Sequence, residues 1–300
     1  MLKIAYHPLY KHPLPEKHRF PMLKYELLPR QLLHEGTCTK ENFFSPEIPD
    51  DAHVLRAHTL TYYQNLKQLQ LSAREARKIG FPLSKELIER ELRIANGTLK
   101  GCEYALQYGI SMNIAGGTHH AYSNRGEAFC LLNDQAIGAC YLQYRKQAKK
   151  ILIVDLDVHQ GNGTAEIFAN NTAVFTFSMH GKSNYPFKKE KSDLDIALPD
   201  KTGDDEYLSL LKKTLTQLIA RHMPDFIFYL SGVDILENDK LGKLALSMEG
   251  CMHRDEIVLE TCKKLEIPVQ CSMGGGYSPD IKTIVEAHAN TYRLATDIYF

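Results

Sequence analysis

Asp155, Asp157 and His159 stand at the end of an apolar run, Ile151 to Leu156. Successive strand side chains point to opposite faces, so at alternate positions all three project the same way. Two carboxylates and an imidazole at a strand's end can hold a divalent cation. Asp157 would supply oxygen and His159 nitrogen, donors that zinc accepts. One Asp-x-His alone is more often a solvated loop than a metal site, so the rest of the chain must carry the case.

A catalytic zinc needs three protein ligands and an open position. Asp234, at the end of another apolar run, is the best third ligand, although alone it reads equally well as a helix cap. A metal-assisted hydrolase also needs a base, which the adjacent His119 and His120 can supply, and a donor for a developing oxyanion. Tyr277, after the turn Gly274-Gly275-Gly276, can bring a hydroxyl to that point. Each piece is weak by itself; several strand ends offering one compatible set is a much stronger signal.

The elements that must position these residues alternate between apolar runs and helical patterns. Expected strands are Leu2 to Tyr6, Met112 to Ala115, Ile151 to Leu156, Ala173 to Met179, Asp225 to Leu230 and Ile267 to Met273. Most are continuously apolar, as in a parallel sheet covered on both faces. Helical spacing covers Met22 to Leu33, Leu87 to Tyr108, Asn133 to Tyr144, Tyr207 to His222, Arg254 to Leu265 and Asp280 to Ile298. The N-terminal portion to about residue 85 reads as helical cover around one first strand, with Arg19 as a structural pairing residue. The fold class is α/β: a single doubly wound domain over residues 1–300, with a mostly parallel central sheet flanked by helices. In such sheets ligands sit at the carboxyl ends of the strands, where these candidates fall.

Bulk properties exclude some functions. The 300 residues carry no formal net charge. Neither a basic stripe nor a charge block points to nucleic acid, and the cluster at 188–191 reads as a solvated loop. No apolar stretch is long enough to span a membrane, and the N-terminus does not read as a signal peptide. The seven cysteines are scattered without a C-x-x-C pair, as expected of reduced core thiols in a cytoplasmic protein. Cys130 is the one to watch, since it lies close to the motifs.

These motifs together resemble the histone deacetylase family of the arginase/deacetylase superfamily. The resemblance rests on Gly-Gly-Thr-His-His at 116–120, Ala-Phe-Cys-Leu-Leu-Asn-Asp at 128–134 and Asp-Leu-Asp-Val-His-Gln-Gly-Asn-Gly at 155–163. Ser-Gly-Val-Asp at 231–234 and Gly-Gly-Gly-Tyr at 274–277 complete it. The run His-Gln-Gly-Asn-Gly, with Asp-Ile-Leu-Glu-Asn-Asp-Lys-Leu-Gly at 234–242, is most similar to the class IV branch and its bacterial relatives.

The resemblance implies a zinc ion, or ferrous iron, on Asp157, His159 and Asp234. It implies His120 as general base and later acid, His119 as its tuning neighbour and Tyr277 as oxyanion donor. A structural potassium ion would sit on Asp155, the Ser178 hydroxyl and the backbone oxygens of Asp157, His159 and Met179. Phe129 and Tyr185 would wall a narrow acyl-lysine tunnel. The implied reaction is hydrolysis of an acylated lysine in a protein or peptide, with acetyl and long-chain acyl groups both open. The chain departs from the family pattern in three places. Ala128 stands where a glycine is frequent. Gln160 and Asn162 replace a His and an Asp, removing a carboxylate behind the histidine pair. Leu241 occupies the place of an acidic gatekeeper, which disfavours a polyamine. Hydrolysis of a small acylated amine is the alternative. A two-manganese ureohydrolase would need more carboxylates, and a catalytically dead binding module would have lost a ligand or the tyrosine.

Overall fold

The structure, a computed structural model, describes residues 1–300. Its strands are β1 (Lys3–Ala5), β2 (Phe43–Phe44), β3 (Ile110–Asn113), β4 (Ile151–Asp155), β5 (Val174–Gly181), β6 (Leu194–Leu198), β7 (Phe226–Leu230) and β8 (Val269–Ser272). They form one eight-stranded sheet in the order β2-β1-β3-β8-β7-β4-β5-β6. Every neighbouring pair is parallel, so the sheet is wholly rather than mostly parallel. The helices are α1 (Lys24–His34), α2 (Asp51–Val54), α3 (Leu60–Lys67), α4 (Ala73–Ile79), α5 (Lys85–Tyr108) and α6 (Asp134–Tyr144). They continue with α7 (Asn162–Phe168), α8 (Asp204–His222), α9 (Met248–Lys264) and α10 (Ile281–Tyr299). None is long and apolar enough to cross a membrane.

The central strands are buried along their whole length, which is why they read as continuous apolar runs. Two strands escaped that reading. β2 has only two residues, and β6 is a half-exposed edge. β3 begins and ends two residues earlier than expected, because Ser111 and Asn113 look too polar for a central strand. Both are paired from α5: the Ser111 hydroxyl donates to the Gly101 carbonyl at 2.6 Å, and the Asn113 amide to the Ile94 carbonyl at 3.0 Å. A buried polar group with its partner in place carries no penalty for being inside.

Strand order places the chemistry. β3, β8, β7 and β4 are consecutive neighbours, so the segments leaving their carboxyl ends meet although they lie far apart in the chain. Arg254 of α9, fully buried, ties two of these ends. It donates to the carbonyls of Leu156, Ser231 and Gly232, and Asp255 balances its charge at 2.7 Å. Breaking such a buried pair by removing one partner costs about 3–5 kcal/mol.

Candidate active site

Asp157 and His159 follow β4, and Asp234 follows β7. Their donor atoms all lie within 4.8 Å of one another, and all three residues are buried. His159 Nδ1 is 3.0 Å from Asp157 Oδ1 and 3.2 Å from Asp234 Oδ2. Backbone groups aim the carboxylates: Gly275 N–H donates to Asp157 Oδ2 at 2.8 Å, and Val158 N–H to Asp234 Oδ1 at 3.0 Å. Asp234 is thereby held from the loop after the neighbouring β4, and Asp157 from the loop after β8, two strands away. Glycine is required at 275, where a Cβ would stand 2.0 Å from Asp234 Oδ2.

Burial disfavours a charged His159, but its hydrogen bonds to Asp157 and Asp234 outweigh that and raise its pKa to about 10. Burial and the Asp157 charge push the Asp234 carboxyl up. Two carboxylates and an imidazole gathered out of water, and repelling unless a cation joins them, are a donor set that fits a divalent metal.

The two histidines of the segment after β3 differ in what backs them. His119 Nδ1 lies 2.7 Å from Asp155 Oδ2, whereas His120 Nδ1 lies 2.6 Å from Asn162 Oδ1. The rings are 4.1 Å apart. For His119, burial opposes protonation, but Asp155 and Asp157 raise its pKa above the ordinary histidine value. For His120, burial and then the charges of His119 and His159 lower it well below that value. Asn162 donates its own amide to the Tyr122 hydroxyl at 3.0 Å, so its oxygen faces His120 and accepts from Nδ1. The lone pair of His120 is then on Nε2, as a base requires. The carboxylate expected to be missing behind the pair is therefore missing only behind His120.

Tyr277 is held through its backbone N–H, which donates to Asp239 at 2.5 Å. Burial and the charges of Asp234 and Asp157 keep its phenol protonated, well above the ordinary tyrosine value. Its ring packs at 6.3 Å from His159 and 6.3 Å from Phe129.

A cavity of about 450 Å³ leads in from the surface. Ala128, Phe129, Tyr185 and Leu241 line it, with His120, His159 and Tyr277 at its inner end. The four expected tunnel residues are thus brought together. Ala128 and Phe129 both have positive φ, 45° and 68°. That is the left-handed region in which glycine is at ease, and it explains the strain an alanine accepts here. A second, smaller cavity of about 40 Å³ lies at the cradle itself, lined by His120, Asp157, His159 and Tyr277 together with Phe20, Tyr25 and Cys130. Burial pushes the Cys130 thiol well up, and all seven cysteines are unpaired. Of the expected potassium residues, Asp155 and Ser178 are register partners on β4 and β5, with Met179 next in line. Ser178 Oγ also lies 2.9 Å from His180 Nδ1.

Arg19 makes no ion pair, contrary to expectation. Its guanidinium lies 5.0 Å from the Phe129 ring centre at the mouth. Phe20, against Phe129 at 5.1 Å and Tyr277 at 6.0 Å, went unread beside it, as did Asp239 inside the 234–242 motif. Lys24 and Arg254 carried no signal at all, because a cation on a helix reads as solvent-facing.

A family model described as Histone deacetylase domain matches residues 18–292. An uncharacterized protein of Picosynechococcus sp. is 44% identical over 296 residues, 99% of each chain. Histone deacetylase 2 of Arabidopsis thaliana is 28% identical over 270 residues, covering 87% of this chain and 70% of that one. A solved HDAC homolog complexed with SAHA superposes with a TM-score of 0.85 at 24% identity, over 99% of this chain and 84% of that one. That likeness speaks for the fold, an α/β arginase/deacetylase-like sheet. With the family model running through every strand end described above except the first, the chain belongs to the histone deacetylase family.

Proposed function

We propose that this chain is a zinc-dependent deacetylase of lysine side chains, acting as one catalytic domain and related to the class IV branch. The observation that carries the reading is the buried Asp157-His159-Asp234 cradle at the inner end of an aromatic-walled cavity, with His120 and Tyr277 beside it. When bound there, zinc or ferrous iron supplies Lewis acidity to the amide carbonyl and to a water. The chain's own residues do the rest. Phe129 and Tyr185 flank the lysine stem and exclude water. His120 Nε2 takes the proton of the attacking water and delivers it to the departing amine. His119, fixed by Asp155, holds positive charge beside it. The Tyr277 hydroxyl donates to the carbonyl oxygen as negative charge gathers there.

The inner cavity selects the acyl group. It measures about 40 Å³ and is shared with the cradle, since Asp157, His159, His120 and Tyr277 line it too. An acetyl group suits that space and a fatty chain does not. Arg19, Lys78 and Lys243 line the mouth, with Glu127 and Asp200 at 3.7 and 3.9 Å from the two lysines and Arg19 unpaired, a balance that disfavours a polyamine. Asp155, Ser178, Met179 and the loop oxygens of Asp157 and His159 form the place for a structural potassium ion in this reading. Unpaired cysteines suit a reducing, cytoplasmic compartment.

The test is turnover of one lysine peptide carrying either acetyl or myristoyl by zinc-loaded protein, with Tyr277→Phe as control. The expected result is faster acetyl turnover that the variant loses. Faster myristoyl turnover would overturn the acyl assignment. Turnover of neither, with zinc bound, would move the substrate to a small acylated amine.

A further inference from the structure

Lys24 is a buried cation without a counter-ion. It is the first residue of α1 and 0% exposed. Its hydrogen bond goes to the Gly274 carbonyl at 3.0 Å, across 250 residues of chain. No carboxylate forms an ion pair with it. It is lodged instead among aromatic rings, with Nζ 5.5 Å from the centre of Phe20, 5.4 Å from Tyr25 and 5.9 Å from Tyr277. Burial lowers its pKa to about 8, with Asp234, Asp157 and Asp239 acting in the opposite direction. An ammonium in such a place is expensive to desolvate, and an apolar side chain would fill the space at less cost.

What it holds is the segment least able to hold itself. The 274–276 turn is all glycine, with φ of +70° at Gly274 and +150° at Gly276. No side chain of its own anchors it. On the N–H side it is fixed by Gly275 to Asp157 at 2.8 Å and by Tyr277 to Asp239 at 2.5 Å. On the carbonyl side, Gly275 accepts from Val233 N–H at 2.9 Å, and Lys24 holds Gly274. Ile284 and His288 of α10 lie against Gly276; Lys24 comes from α1, donates to Gly274 and stands over the tyrosine ring.

We propose that Lys24 is a positioning residue for Tyr277: it pins the Gly274 carbonyl and backs the tyrosine ring, so that the hydroxyl is fixed where the oxyanion forms. The inference rests on the reading in which Tyr277 serves the oxyanion. A group that acts this way is felt in the transition state more than in substrate binding.

The experiment is a double-mutant cycle on zinc-loaded enzyme. Lys24→Met keeps the length of the stem and removes the ammonium. Its expected effect is a fall in kcat of about 10- to 100-fold, the scale of a small misplacement of a reacting group, with KM and zinc content nearly unchanged. In a Tyr277→Phe background the same substitution is expected to change kcat less than about twofold, since coupled residues are not additive. An equal loss in both backgrounds, a rise confined to KM, or loss of zinc would overturn the proposal and leave Lys24 a structural residue. The affinity of zinc-loaded protein for an alkyl hydroxamate, run through the same cycle, supplies a readout free of turnover. Coupling there supports the role and additivity removes it. Should Lys24→Met not fold, Lys24→Leu, which likewise offers Gly274 no donor, serves the same cycle. Absence of turnover in the parent enzyme would count against the functional reading alone.

Discussion

The floor of the site and its mouth are built on opposite terms. At the floor, four aspartates, three histidines and two cations are buried, and their polar atoms find partners on other strand ends or on α9. At the mouth, Arg19, Lys78, Phe187 and Lys243 stand at the surface. Phe187 is 92% exposed, and the lysine pairs are loose, with Lys78 to Glu127 at 3.7 Å and Lys243 to Asp200 at 3.9 Å. In low dielectric a pair is strong and its loss costly, whereas at the surface water and salt screen it. The chemistry therefore resides where geometry is over-determined, and adaptability resides at the rim.

That contrast can be broken in graded steps. Asp234→Ala should abolish turnover and metal binding together, checked by metal analysis beside the activity assay. Tyr277→Phe should keep the metal and lose about 10²- to 10³-fold in kcat, the usual scale for an oxyanion donor. A metal-free Tyr277→Phe protein would show that the tyrosine serves the cradle instead.

Asn162→Asp sharpens the comparison within the floor. His120 has a lowered pKa, so the base form persists as pH falls below the ordinary histidine range. A carboxylate at 162 would stabilise the imidazolium and raise that pKa. The acid limb of the kcat/KM profile should then move to higher pH, and an unmoved limb would exclude His120 as the titrating base.

A buried histidine away from both cavities carries a pH dependence of stability. His58 Nδ1 lies 3.0 Å from the Tyr122 carbonyl, and its Nε2 accepts from Asn133 N–H at 2.9 Å. Burial lowers its pKa to about 4. The unfolded chain, near 6.5, binds the proton first, so the stabilisation is complete above about pH 6.5 and is lost as pH falls toward 4. At pH 5 the loss is about 2 kcal/mol. Denaturant midpoints at pH 7.5 and 5 should differ accordingly, and His58→Gln should shrink the difference. The smallest effect belongs to the rim. Acetyl-lysine peptides with acidic flanks should be turned over about 2- to 5-fold faster than basic ones at low salt, and Lys78→Glu with Lys243→Glu should reverse the order.

The site was more legible than its supports. Asp157, His159, Asp234, His119, His120 and Tyr277 each follow an apolar run, and a strand's end is a local signal. Asp155 reads in the sequence as a cation ligand, and in the fold it also orients His119, a contact across 36 residues. β6 was hidden because an edge strand alternates with polar residues, and α9 begins at Met248, six residues before the expected start, behind the Ser247 cap.

The sequence by itself determined the residue types, the strand ends that present them, the glycines that admit them and the parallel α/β class, because all of these follow from short-range spacing and burial. Tertiary structure alone decided which histidine is backed by a carboxylate and which by an amide. It also decided how small the inner cavity is, and that Lys24 and Arg254 face inward. Those outcomes depend on which strands become neighbours, and that is settled by packing across the whole sheet.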